Sequence, residues 1–238
     1  MFDLDHLFAA AQPIRRLFPW LLAGLTVSAL FGAYWVTANI SPLRPDTASY
    51  LYFDPSRPIG YPVFLWISGL FGELQLAVKI QMAVLAASLF LLGWAFYKWS
   101  GNAALSALFQ IALLASPEMW KFSATLITEG LATAGIALWC AQLLVTMRKP
   151  SIARIAVLAL LSAASVLVKP SLVVMFVATG IATPLLETRK QRFLSLAITV
   201  AGLIVALGAT PVANYLLHGS SSSGSPVARG IFQHTLFC

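Results

Sequence analysis

The feature that most constrains this chain is the length of its apolar runs. Several stretches of roughly 17 to 25 residues carry almost no charge and are joined by short polar connectors. Wound as a helix at about 1.5 Å per residue, such a run covers the roughly 30 Å of hydrocarbon in a bilayer. Only 10% of the residues are charged and 59% are hydrophobic, whereas a soluble domain carries about 25% charge to clothe its surface. A membrane barrel needs apolar and polar residues in strict alternation, and the Leu/Ala/Val blocks show none. The expected fold class is therefore all-α, a polytopic transmembrane helix bundle.

Seven spans are expected, over residues 17–39, 74–97, 103–115, 122–147, 152–168, 170–186 and 193–217. The sixth and fifth could equally be read as one long helix. Charge decides between them, because "MRKPSIAR" (Arg148, Lys149, Arg154) and "ETRKQR" (Arg189, Lys190, Arg192) are the densest basic clusters. Basic connectors favour the cytoplasmic side, and only a hairpin turning at Lys169-Pro170 puts both there. Proline also disfavours helix at the residue before it. This sidedness leaves the N-terminus cytoplasmic, with Arg15 and Arg16, and the loop over 40–73 outside. Residues 1–217 then form one membrane module. Residues 218–238, with the "GSSSSGS" run, read as an outer linker and tail that begins a further region.

The outer loop opens with "RPDTASYLYFDPSRPIGYPVF", Arg44 to Phe64, a polar and proline-rich run beside a greasy span. Asp46 stands where a cap for a helix of about two turns would stand. Spacing of i, i+4 and i+8 would put Asp46, Tyr50 and Asp54 near one face. The piece 63–71 is too short to cross and is expected to lie in the interface. Two readings of Asp46 stay open: a cap on an interfacial helix, or a catalytic carboxylate held at headgroup depth. In "RPIGYP" the prolines and Gly60 fix a turn, and Arg57 can contact a phosphate.

Within the fourth expected span, "SATLITEGLATAG" stacks Thr125, Glu129 and Thr133. A carboxylate there must face a bundle interior or a wet cavity, either as a hydrogen-bonded lock or as part of a site. Lys79 and Lys169 are its candidate partners, though a lysine near a span end can also snorkel to the interface.

The net charge of +7 is carried at span ends, which suits anionic headgroups; basic stripes interleaved with aromatics are missing, so nucleic acid is not an expected partner. His6, His218 and His234 are scattered, and Cys140 and Cys238 lie far apart, so no metal-ligand or redox spacing is present. Gly-rich phosphate loops and nucleophile elbows are also missing.

Taken in order, "PDTASYLYF", "RPIGYPVFL", "SPEMWKFSATLITEGLATA" and "LVKPSL" resemble the N-terminal half of GT-C membrane glycosyltransferases. The bacterial branch to which they are similar contains relatives of protein mannosyltransferases and lipid A aminoarabinose transferases. The resemblance implies a seven-span module in the bacterial inner membrane whose outer first loop carries the catalytic aspartate. It implies transfer of a sugar from a polyprenyl-phosphate carrier to an acceptor on the outer face, with inversion. Asp46 would be the general base, and Tyr50, Arg57, Tyr61, Glu129 and Lys169 would bind substrate. Many relatives place an acidic pair at the catalytic position, and here Asp46 is followed by Thr47. No cofactor is therefore fixed, and a divalent metal stays open. Most relatives are also much longer, so a non-catalytic membrane scaffold or an inactive N-terminal fragment is the alternative. A transporter would show matching halves with broken helices, and the sequence shows neither.

Overall fold

The structure, a computed structural model, describes residues 4–38, 41–69, 74–186 and 188–219, with side chains from residue 17 onward. Among these residues all regular structure is helical. The expected tail, apart from His218 and Gly219, lies outside the described residues, as do Phe71 and the side chains of Arg15 and Arg16. The helices are α1 (Leu4–Thr37), α2 (Thr47–Leu51), α3 (Gly60–Gly69), α4 (Leu74–Ser100), α5 (Ala103–Leu114), α6 (Pro117–Ser123), α7 (Thr128–Arg148), α8 (Ile152–Val168), α9 (Val174–Ile181) and α10 (Arg189–His218).

Four helical segments are long and apolar enough to cross a membrane: Leu17–Thr37 of α1, α4, α7 and α10. A fifth is formed if α5 and α6, bent by 54° at their junction, count together, while α8 and the segment Pro170–Leu185 are shorter apolar pieces. The chain is thus an all-helical membrane protein with four to five helices of spanning length. The expected count of seven took residues 103–115 and 170–186 as spans. The first is a single helix of only 12 residues, which reaches spanning length only together with α6, and the second is broken. Pro117 opens α6 and bends its predecessor, with Ser116 extended at ψ 105°, as a residue before proline must be. The return leg after α8 splits into a 3-10 turn at Pro170–Val173, α9, and a second 3-10 turn at Thr183–Leu185.

The fourth expected span starts later than its apolar run. Residues 124–127 leave the helix, and their backbone groups find partners elsewhere: Leu126 N–H donates to the Pro42 carbonyl at 2.8 Å, and Ile127 is extended at φ −140°, ψ 161°. Only then does α7 begin.

The chain reverses at Lys169, which is extended at φ −145°, ψ 104° before Pro170. Met175, Ala182 and Leu186 of the return leg pack against Trp139, Ile155 and Leu158, so the two basic clusters meet at one end of the bundle. There the arginines close helix ends, where terminal carbonyls lack partners. Arg148 donates to the Lys98 carbonyl, Arg154 to those of Val145 and Lys149, and Arg192 to that of Leu186.

At the centre, α4 packs on α7, α5 and α1. Small residues set the spacing, among them Ala86, Ala95, Ala134, Ala137 and Ala141. Small side chains let helix backbones approach where lipid offers no hydrophobic driving force. Leu85, Leu89 and Met82 fill the remaining volume, all essentially buried. The other end of the bundle carries the loop with α2 and α3, and α3 packs on α4 and α8.

Candidate functional site

Asp46 immediately precedes α2, but it is not the cap the sequence suggested. Its backbone is already helical at φ −78°, ψ −14°, and its side chain makes no capping bond. The helix is also shorter than expected, five residues, so Asp54 falls beyond it. Freed from capping, the Asp46 carboxylate pairs with the Arg57 guanidinium at 2.8 Å.

Arg57 is fixed from three sides. Its Nε donates to Ser49 Oγ at 2.9 Å, its Nη1 to Tyr50 Oη at 3.4 Å, and its guanidinium lies 4.9 Å from the centre of the Tyr50 ring. Ser49 in turn donates to the Asp46 carbonyl at 2.6 Å. Asp46 is 60% exposed and Arg57 29%, so the pair contributes little stability, about 0–1 kcal/mol. Its significance is geometric: a carboxylate and a cation are held side by side in an open hollow whose rim also carries Tyr52, Asp54 and Ser56.

Tyr50 meets Tyr61 edge-on, with centroids 5.0 Å apart. Tyr61, on α3, is completely buried and donates to Gln81 Oε1 at 3.1 Å. Burial, with smaller pushes from Tyr50 and Glu129, raises its phenol far above the ordinary range, so it acts as a donor and stays neutral.

Gln81 is the organising residue that reading the sequence missed. From the third turn of apolar α4 its amide nitrogen reaches the carbonyls of Phe122 (3.2 Å), Ser123 (3.0 Å) and Thr125 (3.0 Å). These are the backbone groups released where the chain breaks before α7. The available signal was a lone amide inside a hydrophobic span, a group that must find a partner.

Glu129 sits in the first turn of α7, not two turns into a span as its apolar context suggested, because α7 starts only at Thr128. Its carboxylate pairs with Lys169 Nζ at 3.1 Å and accepts from Thr128 Oγ1 at 3.2 Å. Of the two lysines considered as its partner, Lys169 takes the role, while Lys79 lies on the α1 side of α4. Glu129 and Lys169 are 36% and 38% exposed, accessible to a polar ligand. The expected stack with Thr125 is broken, since Thr125 precedes the helix; Thr133 does donate to the Glu129 carbonyl at 2.8 Å.

Gly60 was expected to serve a turn. Its requirement is instead close packing: a Cβ there would stand 2.6 Å from the Leu167 carbonyl carbon, against backbone. The loop's left-handed residue is Phe53, at φ 52°. Its carbonyl is met by His218 Nε2 at 2.8 Å, and Asn214 Nδ2 donates to the Pro55 carbonyl at 2.9 Å, so α10 braces the loop from the side.

The six residues singled out from the sequence thus come together at one end as two ion pairs, Asp46–Arg57 and Glu129–Lys169, with Tyr50 and Tyr61 packed together beside the Arg57 pair. No group of three or more His, Cys, Asp or Glu side chains converges among the described residues. Among the described residues that donor set does not fit a resident metal. Compared with known proteins, the chain matches no family model, no curated protein and no solved structure.

Proposed function

We propose that the protein is a membrane glycosyltransferase of the GT-C kind, taking a sugar from a polyprenyl-phosphate donor to an acceptor on the outer face of a bacterial inner membrane. The observation that carries this reading is the Asp46–Arg57 pair, a base and a phosphate-binding cation 2.8 Å apart in an open hollow. A lipid-linked sugar brings its phosphate to headgroup depth, so its reaction needs both groups at that level.

In this reading Asp46 takes the proton from an acceptor hydroxyl or amine as that atom attacks the anomeric carbon. The bond from carbon to the phosphate oxygen breaks with its electrons going to the phosphate, and the sugar inverts. Arg57 exchanges its carboxylate partner for the leaving phosphate, with Lys169 as a second cation. The chain crosses seven times, α5–α6 as a bent span and α8 and Pro170–Leu185 as thin ones. The basic end and the N-terminus lie in the cytoplasm, following the positive-inside bias.

A scaffold without catalysis is the second reading, favoured by the mutual pairing of all four charged groups. Substituting Asp46→Asn separates the two. Asparagine still accepts from Arg57, and an exposed pair holds little stability, so the protein accumulates normally. As the base, Asp46 contributes about 10²-fold or more. Transfer of labelled sugar from polyprenyl phosphate in membranes should fall by that factor at matched protein level. Transfer undiminished in Asp46→Asn removes the residue from catalysis.

A further inference from the structure

A groove runs down the flank of α4 that faces α1, away from Tyr61 and Gln81. Its upper part is lined by Thr37, Pro42, Gln75 and Lys79, and its lower part by Val27, Leu30, Phe31 and Met82. Tyr34, Lys79 and Met82 line both parts, so the two are continuous. The groove is amphipathic along its length, polar at the loop end and almost wholly apolar below.

Lys79 lies at the change of character. It is exposed, and it makes no ion pair or hydrogen bond among the described residues. A primary ammonium on the second turn of a spanning helix is costly unless water or an anion meets it. Tyr34 Oη and the Gln75 amide stand at the same mouth and can donate to the same anion. From Thr37 down to Val27 is ten residues of α1, about 15 Å, which is half of the roughly 30 Å hydrocarbon core. The groove as a whole, polar mouth and apolar floor together, therefore matches the depth of one leaflet, which one phospholipid spans and a polyprenyl chain would outrun.

We propose that this groove binds one anionic phospholipid of the surrounding bilayer, its phosphate on Lys79 and one acyl chain along Leu30, Phe31 and Val27. The site is independent of the transfer reaction, since it lies across α4 from the Asp46–Arg57 and Glu129–Lys169 pairs. The phosphate supplies the charge that Lys79 lacks, and a zwitterionic lipid of the same tails supplies the contacts without the net charge.

The test is native mass spectrometry of the purified protein in detergent, titrated separately with dioleoyl phosphatidylglycerol, dioleoyl phosphatidylcholine and a polyprenyl phosphate. Wild type should retain phosphatidylglycerol at least about five-fold better than phosphatidylcholine, and Lys79→Gln should bring the two to parity. Leu30→Trp, which fills the floor, should weaken retention of both. Lys79 bears no protein contact that folding needs, so a matched elution profile and unfolding midpoint qualify the variant. Phosphatidylglycerol preference surviving in Lys79→Gln overturns the proposal. So does stronger Lys79-dependent retention of the polyprenyl phosphate, which would assign the groove to a different lipid. Loss of transfer in Asp46→Asn leaves this result untouched, so the two readings fail separately.

Discussion

Gln81→Met should destabilise the protein more than its position in an apolar span suggests. Methionine matches glutamine in length and suits a helix, so α4 keeps its shape and loses only the amide. A primary amide has two N–H donors, so two of the three carbonyls at Phe122, Ser123 and Thr125 are served at full strength at once. The Tyr61 hydroxyl is the third bond lost. Interhelical polar bonds in membranes are worth about 0.6 kcal/mol on average, with a maximum near 1.7. The Phe122 and Thr125 carbonyls keep the Thr125 and Ile127 amides, while that of Ser123 has only Gln81 among the described residues, so the loss comes to about 2–4 kcal/mol. At roughly 2–4 °C per kcal/mol for a chain of this size, the unfolding midpoint in detergent should fall by about 5–15 °C. Gln110→Met is the control: Gln110 is just as buried but donates only to Thr26 Oγ1, and its own Oε1 has no partner. Removing an unsatisfied oxygen offsets the lost bond, so that midpoint should move by about 2 °C or less. Equal shifts for the two variants would refute the assignment of Gln81 as the organiser of the break.

Three further outcomes follow from the same geometry. Gly60→Ala sets a methyl against the Leu167 backbone, which cannot swing aside, so a loss of about 1–3 kcal/mol is expected and an unchanged midpoint would contradict it. Cysteines introduced at Ser56 and Thr188 should differ in labelling by an impermeant reagent applied outside, Ser56 reacting and Thr188 protected; the reverse pattern would invert the proposed sidedness. Lys169→Met breaks a pair that is more than one third exposed on both sides and so should move the midpoint by no more than about 4 °C. Transfer should nevertheless drop by about 10²-fold if Lys169 steadies the leaving phosphate. Unaltered transfer would confine Lys169 to holding Glu129.

The boundaries of α8 were legible in the sequence because a polar cluster and a proline punctuate it on both sides. Those of α7 were not. The run 122–147 carries a single charge, Glu129, and periodicity cannot show that the backbone leaves the helix at 124–127. What breaks it is tertiary: Pro42 takes the Leu126 amide, and Gln81 takes the carbonyls. The same limit applies to Asp46. Residue type and position point equally to a cap or an ion pair, and only the placement of Arg57 eleven residues on decides between them. The pairing of Glu129 with Lys169 across forty residues was readable as a choice between two lysines, because a carboxylate in an apolar run must find a cation.

The break before α7 also explains how an exposed loop comes to hold Asp46 in one place. In hydrocarbon an unpaired backbone group costs several kcal/mol, so the carbonyls and amides freed at 122–127 bind whatever can reach them. The Leu126 amide takes the Pro42 carbonyl, and the Leu126 carbonyl takes the hydroxyl of Thr47, which is itself buried and accepts from the Arg44 amide. Both anchors flank Asp46 in the chain. Gln81, gripping the same break, also holds Tyr61, against which Tyr50 packs, and Tyr50 in turn receives Arg57. The weak surface ion pair is therefore positioned by strong buried bonds on either side of it, and its geometry does not depend on its own energy. In the proposed reading, a carboxylate so placed would release its cation to a phosphate without the loop moving, which is what would separate a preorganised base from a surface salt bridge.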